Sequence, residues 1–288
     1  VIKRFTFVLV LFTGLLMPLA QPSVSAEELD IVNRPVNLSG LTGLLFTTAP
    51  YTLSKGTIEV AAAYLTENSV TPDYSLTELP FSISAGVSNN SELALKSSYV
   101  QLKQGPTSTM GTQRRTGDLE LAYKWNFLPQ PEDSIRPAVA LIIAGLLPTD
   151  NNNNGINTDT VTHWGMRLGI STGTELSWKE HILGIYADAQ AKSKDTADKS
   201  TRDTYGIYNA GLLFPISKYQ NLQMFIEYTL VNGKKTITLE GGDYSGFTYG
   251  IRLVSERFNF TMGTQFLRKQ TPGYDPSDRV IGLLSMKF

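Results

Sequence analysis

Apolar and polar residues alternate one for one through most of the chain, most sharply near its end. Phe258, Phe260, Met262, Thr264 and Phe266 interleave with Asn259, Thr261, Gly263, Gln265 and Leu267. Phe247, Tyr249, Ile251 and Leu253 alternate in the same way with Gly246, Thr248, Gly250 and Arg252. Leu119, Leu121, Tyr123, Trp125 and Phe127 alternate with Asp118, Glu120, Ala122, Lys124 and Asn126. A period of two puts one set of side chains on each face of an extended strand. Read this way the chain holds twelve strands, at 56–68, 79–89, 91–103, 115–127, 134–148, 161–175, 178–193, 203–216, 220–233, 243–255, 257–269 and 278–288. Residues 27–55, with Pro35 and Pro50 and no clean alternation, read as a periplasmic lead-in to a domain spanning 56–288.

The connections alternate between tight turns, such as Ser88-Asn89-Asn90, and longer polar loops at 69–78, 104–114, 149–160, 194–202, 234–242 and 270–277. Short turns on one side and long loops on the other are the habit of a transmembrane barrel. A soluble sandwich also gives alternating strands, so the placement of aromatics decides. Trp125, Phe127, Phe214, Phe258 and Phe288 lie toward the short-turn end of the apolar face, and Tyr64, Tyr99, Trp164 and Phe247 toward the long-loop end. Two aromatic girdles match the two water–lipid interfaces. The expected fold is therefore all-β, a transmembrane antiparallel β-barrel of 12 strands with both chain ends on the short-turn, periplasmic side.

The chain ends fit an exported barrel. Lys3-Arg4, the apolar run from Phe5 to Leu19 and the small residues Val24-Ser25-Ala26 read as a signal peptide, 1–26, cleaved after Ala26. The last strand, Arg279 to Phe288, stops on an aromatic and resembles the closing strand of bacterial outer-membrane β-barrels. That resemblance implies the outer membrane of a Gram-negative bacterium as location. It also implies outer-membrane lipid, lipopolysaccharide and, through the strand ending at Phe288, the barrel-assembly machinery as partners. The sequence has no cysteine, which rules out disulfides and thiol-linked lipid. Loss of the signal leaves 23 basic and 26 acidic residues, a balance that speaks against nucleic acid.

Little in the sequence points to catalysis. Outer-membrane lipid hydrolases place a His two residues before a Ser on one strand, but here the runs are His163-Trp164-Gly165 and His181-Ile182-Leu183. Asp150 to Gly155 matches the first half of a calcium loop, yet the twelfth position is Val161 in place of a bidentate Glu. No enzyme activity, metal or cofactor is expected. The candidate functional residues are the charges of the lumen face: Lys96, Glu120, Lys124, His163, Arg167, Asp188, Glu227, Arg252 and Arg279, with Glu59, Glu92, Asp118, Arg136 and Lys287 in the same set. Acids and bases are nearly balanced there, whereas strong ion selectivity needs a one-sided ring. Glu92 and Lys96 should face Lys124 and Glu120 across two strands, a ladder that either braces the wall or lines a solute path. Small lumen residues, Ala61, Ala63, Ser82, Ser84, Gly86, Gly165, Gly169, Gly211 and Gly246, favour open space inside.

The run Gly40 to Ala49, then Leu53-Ser54-Lys55-Gly56, Leu79-Pro80 through Gly86, Asn89-Asn90 and Glu92-Leu93, resembles a broad group of bacterial outer-membrane barrels described as transporters. Some of that group are associated with phenol and other aromatic-compound degradation. The resemblance covers residues 40 to 93 and implies a fold but no substrate. The expected function is a passive porin-like channel for small solutes through a mixed-charge lumen. The alternative is a closed structural or adhesive barrel acting through its surface loops.

Overall fold

Strands with one greasy and one charged face need two different surroundings, and a sheet closed on itself provides them while removing its unpaired edges. The computed structural model describes residues 34–70, 73–104, 112–131, 134–149, 164–178, 181–195, 202–216, 221–234 and 242–288. The signal segment, His163 and the Asn-rich loop 150–155 lie outside the described residues.

The strands are β1 Ile58–Ser69, β2 Tyr74–Ser88, β3 Ser91–Gln104, β4 Thr112–Thr116, β5 Leu119–Leu128, β6 Ala138–Leu147, β7 Gly165–Trp178, β8 His181–Asp195, β9 Arg202–Pro215, β10 Leu222–Asn232, β11 Tyr244–Val254, β12 Phe258–Lys269 and β13 Ser277–Lys287. Each pairs antiparallel with its neighbours, and β13 returns to β1 from Glu59↔Lys287 to Asn68↔Asp278, which closes the barrel. Phe288 extends the seam, exchanging backbone hydrogen bonds with Ile58.

The wall has twelve staves, and the extra strand arises from a break in the fourth. β4 pairs with the upper part of β3 and β5 with its lower part. Between them Gly117 leaves the ladder but still donates to Ser98 O at 2.6 Å and accepts from Ser97 Oγ at 3.2 Å. The single strand expected at 115–127 is thus two pieces. Two further boundaries move. β2 begins at Tyr74, so the connection from β1 is much shorter than the expected loop 69–78. β6 begins only at Ala138, because Pro137 has no N–H to give the ladder. Arg136 therefore sits outside the wall, exposed, and is not a lumen residue.

The faces are inside out relative to a soluble protein. Val60, Tyr64, Phe81, Ile83, Leu168, Ile170, Phe247, Tyr249, Ile251, Leu253, Met262, Phe266, Val280 and Leu284 all point outward and are each 41–52 % exposed. Glu59, Glu92, Lys124, Asp188, Glu227 and Arg252 point inward and are each no more than 4 % exposed. An apolar belt of this extent on all sides calls for lipid around it. Trp125, Phe127, Phe214, Phe258 and Phe288 are likewise exposed at the short-turn end of that belt.

Residues 34–53 lie inside the barrel, in the half nearer the short turns. A run with two prolines and no alternation cannot join the ladder, so it folds on itself through the bridges Val36↔Thr42 and Gly43↔Thr48. Ala49 N donates to Thr42 O at 3.0 Å and Leu44 N to Thr47 O at 2.9 Å. The turns depend on glycine twice. Gly40 has φ +80, and a Cβ on Gly43 would sit 2.2 Å from Thr47 O. Val36, Leu44, Leu45, Ala49, Tyr51 and Leu53 form one apolar cluster with inward side chains of the wall, Leu65, Tyr186, Leu213, Phe225, Ile281 and Leu283. Leu41 joins a second cluster with Ala94, Ala122, Ile142 and Ala144.

Candidate functional site

The site is the lumen, and its lower half is organised by carboxylates of the wall that accept backbone N–H groups of the inserted segment. A segment without regular pairing leaves its N–H groups unsatisfied, and burying them without acceptors is costly. Glu227 on β10 accepts from three in succession, Leu45 N at 3.1 Å, Phe46 N at 3.0 Å and Thr47 N at 2.7 Å. Asp188 on β8 takes the next, Thr48 N, at 2.7 Å. Glu92 on β3 spans the two limbs, accepting from Thr42 N at 2.9 Å and Leu53 N at 2.8 Å. Glu59 on β1 accepts from Val36 N at 3.2 Å.

Cations of the wall take the segment's carbonyls. Lys124 pairs with Glu92 at 2.8 Å and also donates to Ala49 O at 2.9 Å and Thr42 O at 3.3 Å. Arg252 donates to Gly43 O at 2.8 Å and to Thr261 Oγ1 at 3.2 Å. At the short-turn mouth Arg34 forks onto Glu175 at 2.9 and 2.7 Å and stacks 4.1 Å over the Tyr51 ring. Tyr186 donates to the same carboxylate at 2.8 Å, and the Tyr51 hydroxyl bonds Gln130. Burial pushes the Tyr51 phenol up, Glu175 adds to the rise and Arg34 opposes it.

Above the segment, among the described residues, side chains of the wall brace the lumen. Glu67 accepts from Tyr74 Oη at 2.6 Å, Ser277 Oγ at 2.7 Å, Arg279 Nε at 2.7 Å and Lys269 Nζ at 2.9 Å. Arg167 bonds Glu120 across from β7 to β5 and Gln190 at 2.7 Å. Lys96 stands opposite Glu120 in the ladder, as Glu92 does opposite Lys124.

Of the residues expected to line a path, Lys96, Glu120, Lys124, Arg167, Asp188, Glu227, Arg252 and Arg279 face inward, while His163 falls outside the described residues. They divide by height. Lys124, Asp188, Glu227 and Arg252 belong to the half filled by residues 34–53, and Glu120, Arg167 and Arg279 to the half toward the long loops. The near balance of acids and bases counted along the sequence holds at this level too. Near the segment stand Glu59, Glu92, Glu175, Asp188 and Glu227 with Lys124, Arg252, the segment's own Arg34 and, at the rim, Lys287.

Some of the small wall residues make room for the segment, whereas Gly165, Gly169 and Gly246 meet neighbouring side chains and backbone of the wall. A Cβ on Gly211 would sit 2.5 Å from Leu44 Cδ1, and one on Gly86 2.0 Å from Ser54 O. Ser82 and Ala94 border Gly40, and Ser84 Oγ bonds its carbonyl. The residues missed by sequence reasoning are thus the segment itself and the inward Phe225, Leu213, Ile281 and Leu283. Their signal was present, because large apolar side chains on the charged face of a wet barrel require something to pack against.

No family model and no curated sequence matches the chain. Among solved structures, an outer-membrane channel from Pseudomonas putida F1 superposes with a TM-score of 0.64 at 13% identity, covering 83% of this chain and 98% of that one. LpxR from Salmonella typhimurium gives 0.53 at 11% identity over 80% and 99% of the two chains. A NanC porin gives 0.50 at 11% identity over 80% and 100%. Identities this low speak to architecture alone, and the architecture is that of the outer-membrane β-barrels, in agreement with the resemblance noted for residues 40 to 93.

Proposed function

We propose that the protein is an outer-membrane channel for small solutes, closed in the state described here by residues 34–53. The observation that carries this reading is the way the segment is held. Its ends lie at one mouth, and its core contacts with the wall are side chain to side chain or backbone to side chain. Such a segment is able to leave without breaking the ladder, whereas a wall strand is not. Passage would be passive, because the sequence contains no nucleotide-binding motif. In this reading the short turns face the periplasm, Lys96, Glu120, Arg167 and Arg279 line the outer vestibule, and lipopolysaccharide and the assembly machinery are partners.

The depth of burial of the segment favours a second reading, a permanently closed structural barrel acting through its loops. Planar-bilayer recording separates the two. A channel gives current steps whose frequency rises when the segment is loosened by a substitution within its own fold-back, such as Gly43→Val, whose Cβ would sit 2.2 Å from Thr47 O. A structural barrel stays silent in both forms.

A further inference from the structure

Lys96, Glu120 and Arg167 meet on one side of the lumen, above the segment. Arg167 reaches across β6, where the residue facing it is Ala144, and bonds Oε1 of Glu120 through Nη2. Its Nη1 donates to Gln190 Oε1 at 2.7 Å. Its Nε is buried and has no hydrogen-bond partner. Lys96 stands directly opposite Glu120 in the ladder, yet it makes no hydrogen bond or ion pair with any described residue. Three bases therefore act on the one carboxylate of Glu120, namely Arg167, Lys96 and Lys192.

The other acids around the cluster have partners or stand apart. Asp188, reached through Gln190 Nε2 at 2.6 Å, also accepts from Thr48 N and Asn209 Nδ2. Glu92, four residues below Lys96 on β3, pairs with Lys124. Glu67 is shared by Arg279 and Lys269, and Asp203 lies opposite Lys194 in the ladder. Asp118 has contacts of its own, and Glu78 is level with Val100, four residues above Lys96.

A guanidinium holds carboxylates best through two parallel N–H bonds, and Glu120 uses one. A buried charged donor left without an acceptor is costly. Lys96 and Glu120 are only half-buried, so the cluster is open to the vestibule on their side. What would complete it is a second anionic group with two oxygens, one for each base.

Resting on the channel reading, we propose that Lys96 and Arg167 form a binding site for a small organic anion bearing a carboxylate. One of its oxygens takes the Nε–H of Arg167 and the other takes the Lys96 ammonium. Glu120 is a positioning residue that keeps its bond to Nη2 and fixes the guanidinium edge. The site stands just above the segment, so it gathers anions at the entrance to the closed path. A patch on one side of the wall gives a preference among solutes, whereas a full ring would exclude one sign of charge.

Binding is measured by isothermal titration of the full, folded chain in detergent at constant ionic strength, with succinate, 1,4-butanediol or 1,4-diaminobutane. These have four carbons each and differ in charge. The expected result is that succinate alone binds, several-fold more weakly to Lys96→Gln and to Arg167→Gln, and with affinity kept in Lys96→Arg. The Lys96→Gln chain carries the test if Arg167→Gln fails to fold. No succinate binding, equal binding of all three, or an unchanged affinity in a folded Lys96→Gln barrel overturns the proposal.

This binding needs no open path, which separates the inference from the reading beneath it. Current steps from the Gly43→Val chain without succinate binding overturn the site and keep the channel. Succinate binding by a folded Gly43→Val barrel that stays silent overturns the channel and leaves an anion site on a closed barrel.

Discussion

Glu227→Ala removes the acceptor shared by Leu45 N, Phe46 N and Thr47 N, at 3.1, 3.0 and 2.7 Å. Hydrogen bonds to a charged group contribute about 1.5–3 kcal/mol each, so the three together hold the segment by roughly 5–9 kcal/mol before compensation. Removing a buried carboxylate also returns its desolvation cost, several kcal/mol. A net loss of about 3–5 kcal/mol remains, the range for breaking a buried charged contact on one side. At about 1.4 kcal/mol per factor of ten, the exposed fraction of the segment rises by about two to three and a half orders of magnitude. The assay is thiol labelling of Thr47→Cys, with and without Glu227→Ala, in the folded barrel. The wall should stay intact, because Glu227 makes its ladder bonds through its backbone. Labelling that does not change with Glu227→Ala would refute the reasoning, since the carboxylate would then not be what holds the segment.

Two further substitutions test the packing and the lipid face. Phe225→Ala opens a cavity between β10 and the segment, where the ring is fully buried. It should cost about 3–5 kcal/mol, read as a lower unfolding midpoint in detergent together with faster labelling at Thr47→Cys. Met262→Arg puts a charge on the outward face of β12. It should cost up to about 2–4 kcal/mol in a bilayer, depending on depth, whereas the same change in a soluble barrel would be nearly neutral, and urea unfolding from lipid vesicles distinguishes them.

The strands and their faces were legible because a period of two is a local signal. Val280, Leu284 and Met286 point out and Arg279, Ile281, Leu283 and Ser285 point in, as their alternation requires. The break in the fourth stave was less visible, since Gly117-Asp118 keeps the alternation while leaving the ladder. The start of β6 was set by one residue, Pro137. The inserted segment was read as a lead-in because its fold rests on backbone N–H groups meeting carboxylates far along the chain, Glu227 some 180 residues from Thr47. Nothing in a window of sequence encodes that pairing. The wall did carry its imprint. Phe225 lies on the same face as Glu227, and Ile281 and Leu283 on the same face as Arg279, an arrangement that water inside the barrel would not favour. Gly211, taken as a sign of open space, is small because Leu44 occupies the place of its side chain.

The mixed charge of the lumen was legible as well, and both halves keep it. Glu59, Glu92, Glu175, Asp188 and Glu227 share the half filled by the segment with Lys124, Arg252 and Arg34, while Arg167, Lys269 and Arg279 stand above it with Glu67 and Glu120. The pairings themselves join residues far apart in the chain, which no window of sequence encodes.

Single-channel recording of the refolded chain beside its Gly43→Val form separates a channel that opens from a barrel that does not. A Cβ at position 43 would sit 2.2 Å from Thr47 O and 3.0 Å from Asn37 Nδ2, both within the segment. The channel reading requires rare steps from the intact chain and frequent steps of the same size from the altered one. Silence from both, with the barrels folded and heat-modifiable in detergent, would contradict it and leave a wall closed for good around its own amino-terminal segment.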